Sequence, residues 1–219
     1  LGEIKCVYDI FTISEPTQLL GNDYAKDTKF NMLIDGKSEK YSKEYKFDST
    51  GKHTVQLDLY EDFSMENMFK DAETLLTVSM TSDKHAKITS LKSAFENCHN
   101  LEKLTIKGFD TSQVKTTEKF LYKSFLRGNN FKDIEIDTSN VEDMSYMFTS
   151  SNIEELDLSN LNTSNVVNMQ HMFEGCSSLI NLNLSKFDTS KVKDMSYMFS
   201  GCGSLINLGL ENFNTQSVM

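Results

Sequence analysis

Three segments of the chain repeat one pattern at a fixed distance. Leu156-Asp-Leu158-Ser-Asn-Leu161-Asn-Thr-Ser-Asn-Val166 is followed by Met169, Met172-Phe173 and Gly175-Cys176. Leu182-Asn-Leu184-Ser-Lys-Phe187-Asp-Thr-Ser-Lys-Val192 leads into Met195, Met198-Phe199 and Gly201-Cys202, and Leu208-Gly-Leu210 opens a third copy. Leu156, Leu182 and Leu208 are 26 residues apart. A period of that size means that one small unit is built again and again, each burying its apolar face only against its neighbours. With a Leu-x-Leu pair in every copy, the expected fold is an α/β leucine-rich repeat solenoid. Val166, Met169, Met172 and Phe173 recur at 0, 3, 6 and 7, a helical spacing, so short convex helical turns are expected opposite the short strands.

A degraded form of the repeat can be followed back to about Phe63. Met65, Met68 and Phe69 match the Met-x-x-Met-Phe element, and Ile88, Leu91, Ala94 and Phe95 match the longer Val-x-x-Met-x-x-Met-Phe element. Val78 to Met80 and Leu101 to Ile106 supply the strands of these copies. The copy after Val114 is irregular, with Phe120, Leu121, Tyr122, Phe125 and Leu126 crowded into residues 116–130. Extra residues in a repeat array bulge onto one face, often the one that binds. Phe131, Ile134 and Ile136 are expected to form the next strand.

Residues 1–60 follow a different rule. Strands are predicted at Lys5 to Ile13, Lys29 to Ile34, Lys43 to Phe47 and His53 to Leu59, with Asp35-Gly36 as a hairpin turn. The expected organisation is a small all-β domain at 1–60, either Ig-like or a cap over the first copy. The repeat array follows at 61–219 and is read as truncated at its C-terminal end, with further copies or a cap beyond it.

In each strand the two leucines point inward and the residues around them point outward. The candidate ligand-facing residues are Lys103, Thr105 and Lys107, then Asp133, Glu135 and Asp137, then Glu155 and Asp157, then Asn181 and Asn183. A basic copy thus gives way to acidic copies and then to an amide-rich one. The methionine column reads as adaptable filling between copies, and the threonines of Asp/Asn-Thr-Ser as turn and capping groups. Cys98, Cys176 and Cys202 share one repeat position. They are either small buried fillers or, for Cys176 and Cys202, a disulfide between neighbouring copies.

The net charge of -10 argues against a nucleic acid or an anionic membrane as partner. No run of 18 apolar residues is present, so direct membrane insertion by this segment is not expected. No catalytic residue, cofactor-binding residue or metal ligand set is assigned. The four histidines lack metal or dyad spacing, and no phosphate loop or nucleophile elbow occurs. Exposed carboxylates at 133, 135, 137 and 157 do not by themselves make a calcium site. The chain is read as no enzyme.

The pattern Leu-x-x-Leu-x-Leu-Ser-x-Phe-Asp-Thr-Ser-x-Val-x-x-Met-x-x-Met-Phe-x-Gly-Cys-x-Ser resembles the BspA-like leucine-rich repeats of bacterial and protist surface proteins. Leu182 to Ser204 and Leu156 to Ser178 state it most fully. The resemblance implies a noncatalytic, extracellular or cell-surface binding module that mediates adhesion. Its partner would be a protein or glycan on another cell or in matrix. The alternative is a structural subunit or spacer of an extracellular filament or coat, whose partners are copies of itself.

Overall fold

The first 60 residues build the sheet from which the rest of the chain grows. In the computed structural model, residues 1–25, 29–83, 85–126 and 131–218 are described. Six strands lie in the N-terminal part: β1 (Gly2–Ile10), β2 (Thr17–Gln18), β3 (Phe30–Ile34), β4 (Lys37–Glu39), β5 (Glu44–Tyr45) and β6 (Gly51–Leu59). Along β1 the alternate residues Ile4, Cys6, Tyr8 and Ile10 are buried, and Val55, Leu57 and Leu59 do the same on β6. These faces meet because β1 and β6 pair antiparallel, with Cys6 opposite Val55. The β3–β4 hairpin turns on Asp35 and Gly36, both at positive φ (48° and 76°), the geometry of a two-residue hairpin matched to strand twist.

Two further strands, β7 (Leu75–Thr81) and β8 (Lys103–Lys107), extend this sheet into the order β4-β3-β6-β1-β7-β8. β7 pairs antiparallel with β1 but parallel with β8, with Val78 beside Leu104 and Met80 beside Ile106. The 26-residue period therefore appears as parallel stacking of one copy on the next. The stack is locally interrupted after β8. Residues Phe131–Asp133 form a 3-10 turn instead of the expected strand, and only Ile134 bridges to Ile106. Residues 127–130, in the crowded copy at 116–130, lie outside the described residues. The ladder resumes in β9 (Glu155–Asp157), β10 (Asn181–Asn183) and β11 (Asn207–Gly209), with Leu156, Leu182 and Leu208 side by side.

The other side of each copy corrects the expected fold class. Among the described residues there is no α-helix, so the protein is a multi-sheet β structure and not an α/β leucine-rich repeat solenoid with convex helical turns. The backbone shows why. In residues 144–151 every second N–H leaves the copy: Met144, Tyr146, Phe148 and Ser150 donate to the carbonyls of Asn168, Gln170, Met172 and Glu174. The N–H groups between them turn back three residues, from Met147 to Met144, Thr149 to Tyr146 and Ser151 to Phe148. Residues 169–176 repeat the alternation onto 194–200. The pattern requires a left-handed residue every fourth position, at Tyr146 and Ser150 (φ 58° and 55°), then His171 and Gly175 (56° and 69°), then Tyr197 and Gly201 (57° and 75°). Left-handed residues at that interval exclude an α-helix. Three-residue turns bring Val166, Met169, Met172 and Phe173 inward with the same spacing that a helix would, which is how the apolar pattern misled.

Side chains complete the joints between copies. Thr163 donates its hydroxyl to Asp188 O (3.1 Å) and accepts from Asp188 N–H (2.8 Å). Thr111, Thr138 and Thr189 do the same for Asp137, Asn162 and Asn214. The cysteines are free. The thiols of Cys98, Cys176 and Cys202 each point at a phenylalanine carbonyl of the preceding copy, Phe69, Phe148 and Phe173, at 3.0 Å. Ser124 and Ser151 hydroxyls take this place in the irregular copies. Burial pushes the Cys176 thiol up to about 12, as fits a donor kept protonated. Inside, Phe148, Phe173 and Phe199 stack at 5.6 and 5.8 Å with nearly parallel rings, and buried methionines fill around them.

Thr163→Val keeps the shape and removes both bonds to Asp188, so it is expected to lower unfolding stability by about 2 to 3 kcal/mol. Thr215→Val, at an exposed position of the same column, is expected to change it by less than about 0.5 kcal/mol. Urea unfolding of the two variants checks this, and equal losses would contradict the bridging role.

Candidate binding surface

The strand face carries the outward residues in columns because the register is parallel. Glu155, Asn181 and Asn207 stand in line, as do Asp157, Asn183 and Gly209. On the larger sheet Thr77 stands beside Lys103, Ser79 beside Thr105 and Thr81 beside Lys107. Lys103, Lys107, Glu135, Asp137, Glu155, Asp157 and Asn183 are exposed, while Thr105, Asp133 and Asn181 are half-buried. The interruption at Phe131–Asp133 separates the basic strand from the amide-rich ones. Across it Lys107 reaches Asp133 at 3.7 Å.

Several of these groups are already engaged. Asp157 and Asn183 each accept the N–H of the residue two positions on, Ser159 and Ser185, at 3.0 Å. They fix the end of their own strand. Asn181 accepts from the Asn207 amide at 2.6 Å, and Glu135 and Glu155 remain exposed. Beside β10 and β11 lies a shallow open depression lined by Asn181, Asn183, Ser185, Asn207 and Glu211. It offers amides, hydroxyls and one carboxylate, which suit hydrogen bonding to a polar partner. Among the described residues no group of three or more His, Cys, Asp or Glu side chains converges to hold a metal ion, and no helix is long and apolar enough to cross a membrane.

Two constellations escaped the sequence reading because their members meet only through folding. His53 Nδ1 lies 2.7 Å from Asp35 Oδ2, and its Nε2 lies 3.0 Å from Ser49 O and 3.3 Å from Ser49 Oγ. Asp35 is further held by Thr54 N–H at 2.9 Å. Burial alone would raise the Asp35 carboxyl, but the bonds from His53 and Thr54 hold it below the usual range. Ser, His and Asp in contact resemble a nucleophilic triad. The nearer acceptor of Nε2 is a carbonyl, however, and an N–H directed there leaves no lone pair to take the serine proton. With its ring against Phe47, His53 ties the hairpin turn to the loop before β6. The second constellation, a solvent-facing ring stack at Tyr146, His171 and Tyr197, uses variable positions of the repeat that carry no periodic signal.

A family described as Mycoplasma protein of unknown function, DUF285, matches residues 63–125 and 119–219. The chain belongs to that family. The resemblance to BspA-like leucine-rich repeats is thereby corrected: Asp-Thr-Ser and Met-x-x-Met-Phe are the positions that build the joints between copies, so their recurrence reports backbone geometry rather than that lineage. No curated protein and no solved structure matches the chain.

The carboxylates of the repeat turns set the pH dependence. Asp110 and Asp188 are held low by the hydroxyls and N–H groups of Ser112 and Ser190. Asp157 and Asp194 are held low by the N–H groups and hydroxyls of Ser159 and Ser196. A carboxyl lowered by folding stabilises the fold above its unfolded value, and that contribution is lost as pH falls through the folded value. Stability is therefore expected to fall as pH drops through the unfolded carboxyl value of about 4 and below it. Asn162 and Asn214 fill the turn position of Asp110 and Asp188 without a charge, as Asn183 does that of Asp157 and Asn168 that of Asp194. Replacing Asp110, Asp157, Asp188 and Asp194 by Asn is expected to flatten the profile over that range, as read by urea midpoints at each pH.

Proposed function

We propose that the chain is a noncatalytic binding module, secreted or displayed at the cell surface, that mediates adhesion to a protein or glycan through its strand face. The supporting observation is the in-register alignment of outward polar side chains on stacked strands. The columns are centred on β10, which is paired on both sides, so a partner meets groups there that need little ordering. The face changes from basic at Lys103 and Lys107, through acidic at Glu135 and Glu155, to amide-rich at Asn181, Asn183 and Asn207. That gradient gives a partner a preferred orientation along the stack. The shallow depression beside β10 and β11 offers amides, hydroxyls and one carboxylate to a polar partner.

Glu135 and Glu155 are the positions to test, because they are exposed and reversing them leaves the turn-fixing Asp157 in place. The Glu135→Lys/Glu155→Lys double variant is expected to weaken binding to arrayed matrix proteins and glycans by at least about tenfold, about 1.4 kcal/mol. Its unfolding midpoint should stay unchanged. Undiminished binding would contradict placement of the site on this face, and concentration-dependent self-association of the native protein in sedimentation would favour a structural subunit instead.

A further inference from the structure

One repeat position is occupied in successive copies by Asn67, Ser93, Lys119, Tyr146, His171 and Tyr197, all with φ between 51° and 58°. Asparagine and glycine are the ordinary occupants of such backbone, and a bulky side chain there is uncommon. The last three copies nevertheless carry rings. Tyr146 and His171 stack at 4.6 Å and 9°, and His171 and Tyr197 at 4.9 Å and 8°. The interior already has its own stack of Phe148, Phe173 and Phe199. Stability alone therefore does not call for a second ladder on the solvent side, where Tyr197 is 64% exposed.

The surroundings of the ladder are polarised. At one end Lys119 Nζ lies 6.0 Å from the Tyr146 ring centre and 5.7 Å from that of Tyr122, and Lys123 Nζ lies 5.2 Å from Tyr122. The nearby lysines Lys92 and Lys115 pair with Glu118 and Glu142. Among the described residues Lys119 and Lys123 have rings as partners and no carboxylate, in a chain of net charge -10. Alongside, Glu174 Oε2 meets His171 Nδ1 at 2.6 Å. Four positions after each ring the side chain shrinks to Ser150, Gly175 and Gly201, where earlier copies carry Asp71, Asn97 and Lys123. A Cβ on Gly175 would come within 2.8 Å of Ser150 Oγ. The rings thus form a wall beside a strip of bare backbone, with two ammonium groups at its head.

We propose that this strip is a second binding surface that takes an acidic oligosaccharide. The C–H faces of successive sugar rings lie against the aromatic wall. Carboxylates or sulfates of the sugar meet Lys119 and Lys123, and hydroxyl groups bond to Glu174 and Ser150. A peptide would anchor through side chains sunk in a desolvated pocket, whereas the strip is open and presents polar groups rung by rung. The surface lies across the buried Phe and Leu core from the strands, and it stands whether or not the strand face binds a partner.

Isothermal titration of the native protein with a hyaluronan oligosaccharide, a neutral cello-oligosaccharide and poly-L-glutamate tests the assignment. The hyaluronan oligosaccharide is expected to bind and the other two to bind at least about tenfold more weakly. Tyr197→Ala, and separately Lys119→Gln/Lys123→Gln, should each weaken hyaluronan binding by at least about tenfold, with the circular dichroism spectrum unchanged. The Glu135→Lys/Glu155→Lys variant should bind it as the native protein does, which separates this surface from the strand face. Absence of hyaluronan binding, binding undiminished in Tyr197→Ala, or equally tight binding of poly-L-glutamate would overturn the proposal.

Discussion

In each copy that another follows, backbone N–H groups alternately leave for the next copy and turn back three residues into their own. This alternation is the constraint on which the rest of the structure depends. Buried peptide groups left without partners cost about 1 to 3 kcal/mol each, so a copy whose N–H groups point at its neighbour is stable only when the neighbour is present. The left-handed residues at 146 and 150, 171 and 175, and 197 and 201 follow from the same requirement. Each non-glycine residue in that conformation is disfavoured by about 1 to 2 kcal/mol, and the bonds to the adjoining copy offset it.

Side-chain columns then close what the backbone leaves open. The threonine hydroxyl satisfies one N–H and one carbonyl of the following copy, and the cysteine thiol or serine hydroxyl satisfies a phenylalanine or leucine carbonyl of the preceding one. Aspartate or asparagine caps its own turn. With these joints made inside the stack, the outward positions are released from structural duty. That is why the strand face and the ring ladder differ from copy to copy while the joints do not.

Much of this was legible in the sequence, and the failures have physical causes. The period fixed the stacking, and the inward Leu156 and Leu182 with outward Glu155 and Asn181 lie as strand alternation requires. The helix was misread because Val166, Met169, Met172 and Phe173 give the same inward spacing from three-residue turns; hydrophobic pattern records which way a side chain faces and not the sign of φ. Tyr146 and Tyr197 at positive φ have no composition signal, unlike a glycine. The spacing of the cysteines is compatible with fillers or a disulfide, and the serines at 124 and 151 that share their place point instead to a hydrogen-bond donor. The contact of His53 with Asp35 depends on the β3–β6 pairing, which no local motif encodes.

The stacking of copies through left-handed turns can be tested atom by atom in solution. Trans-hydrogen-bond scalar couplings in isotope-labelled protein report which carbonyl each N–H reaches. Couplings are expected from Tyr146 N to the Gln170 carbonyl carbon, from Phe148 N to that of Met172, and from Phe173 N to that of Met198. Couplings from these same N–H groups to carbonyls four residues earlier in the chain would show α-helix in their place and contradict the structure.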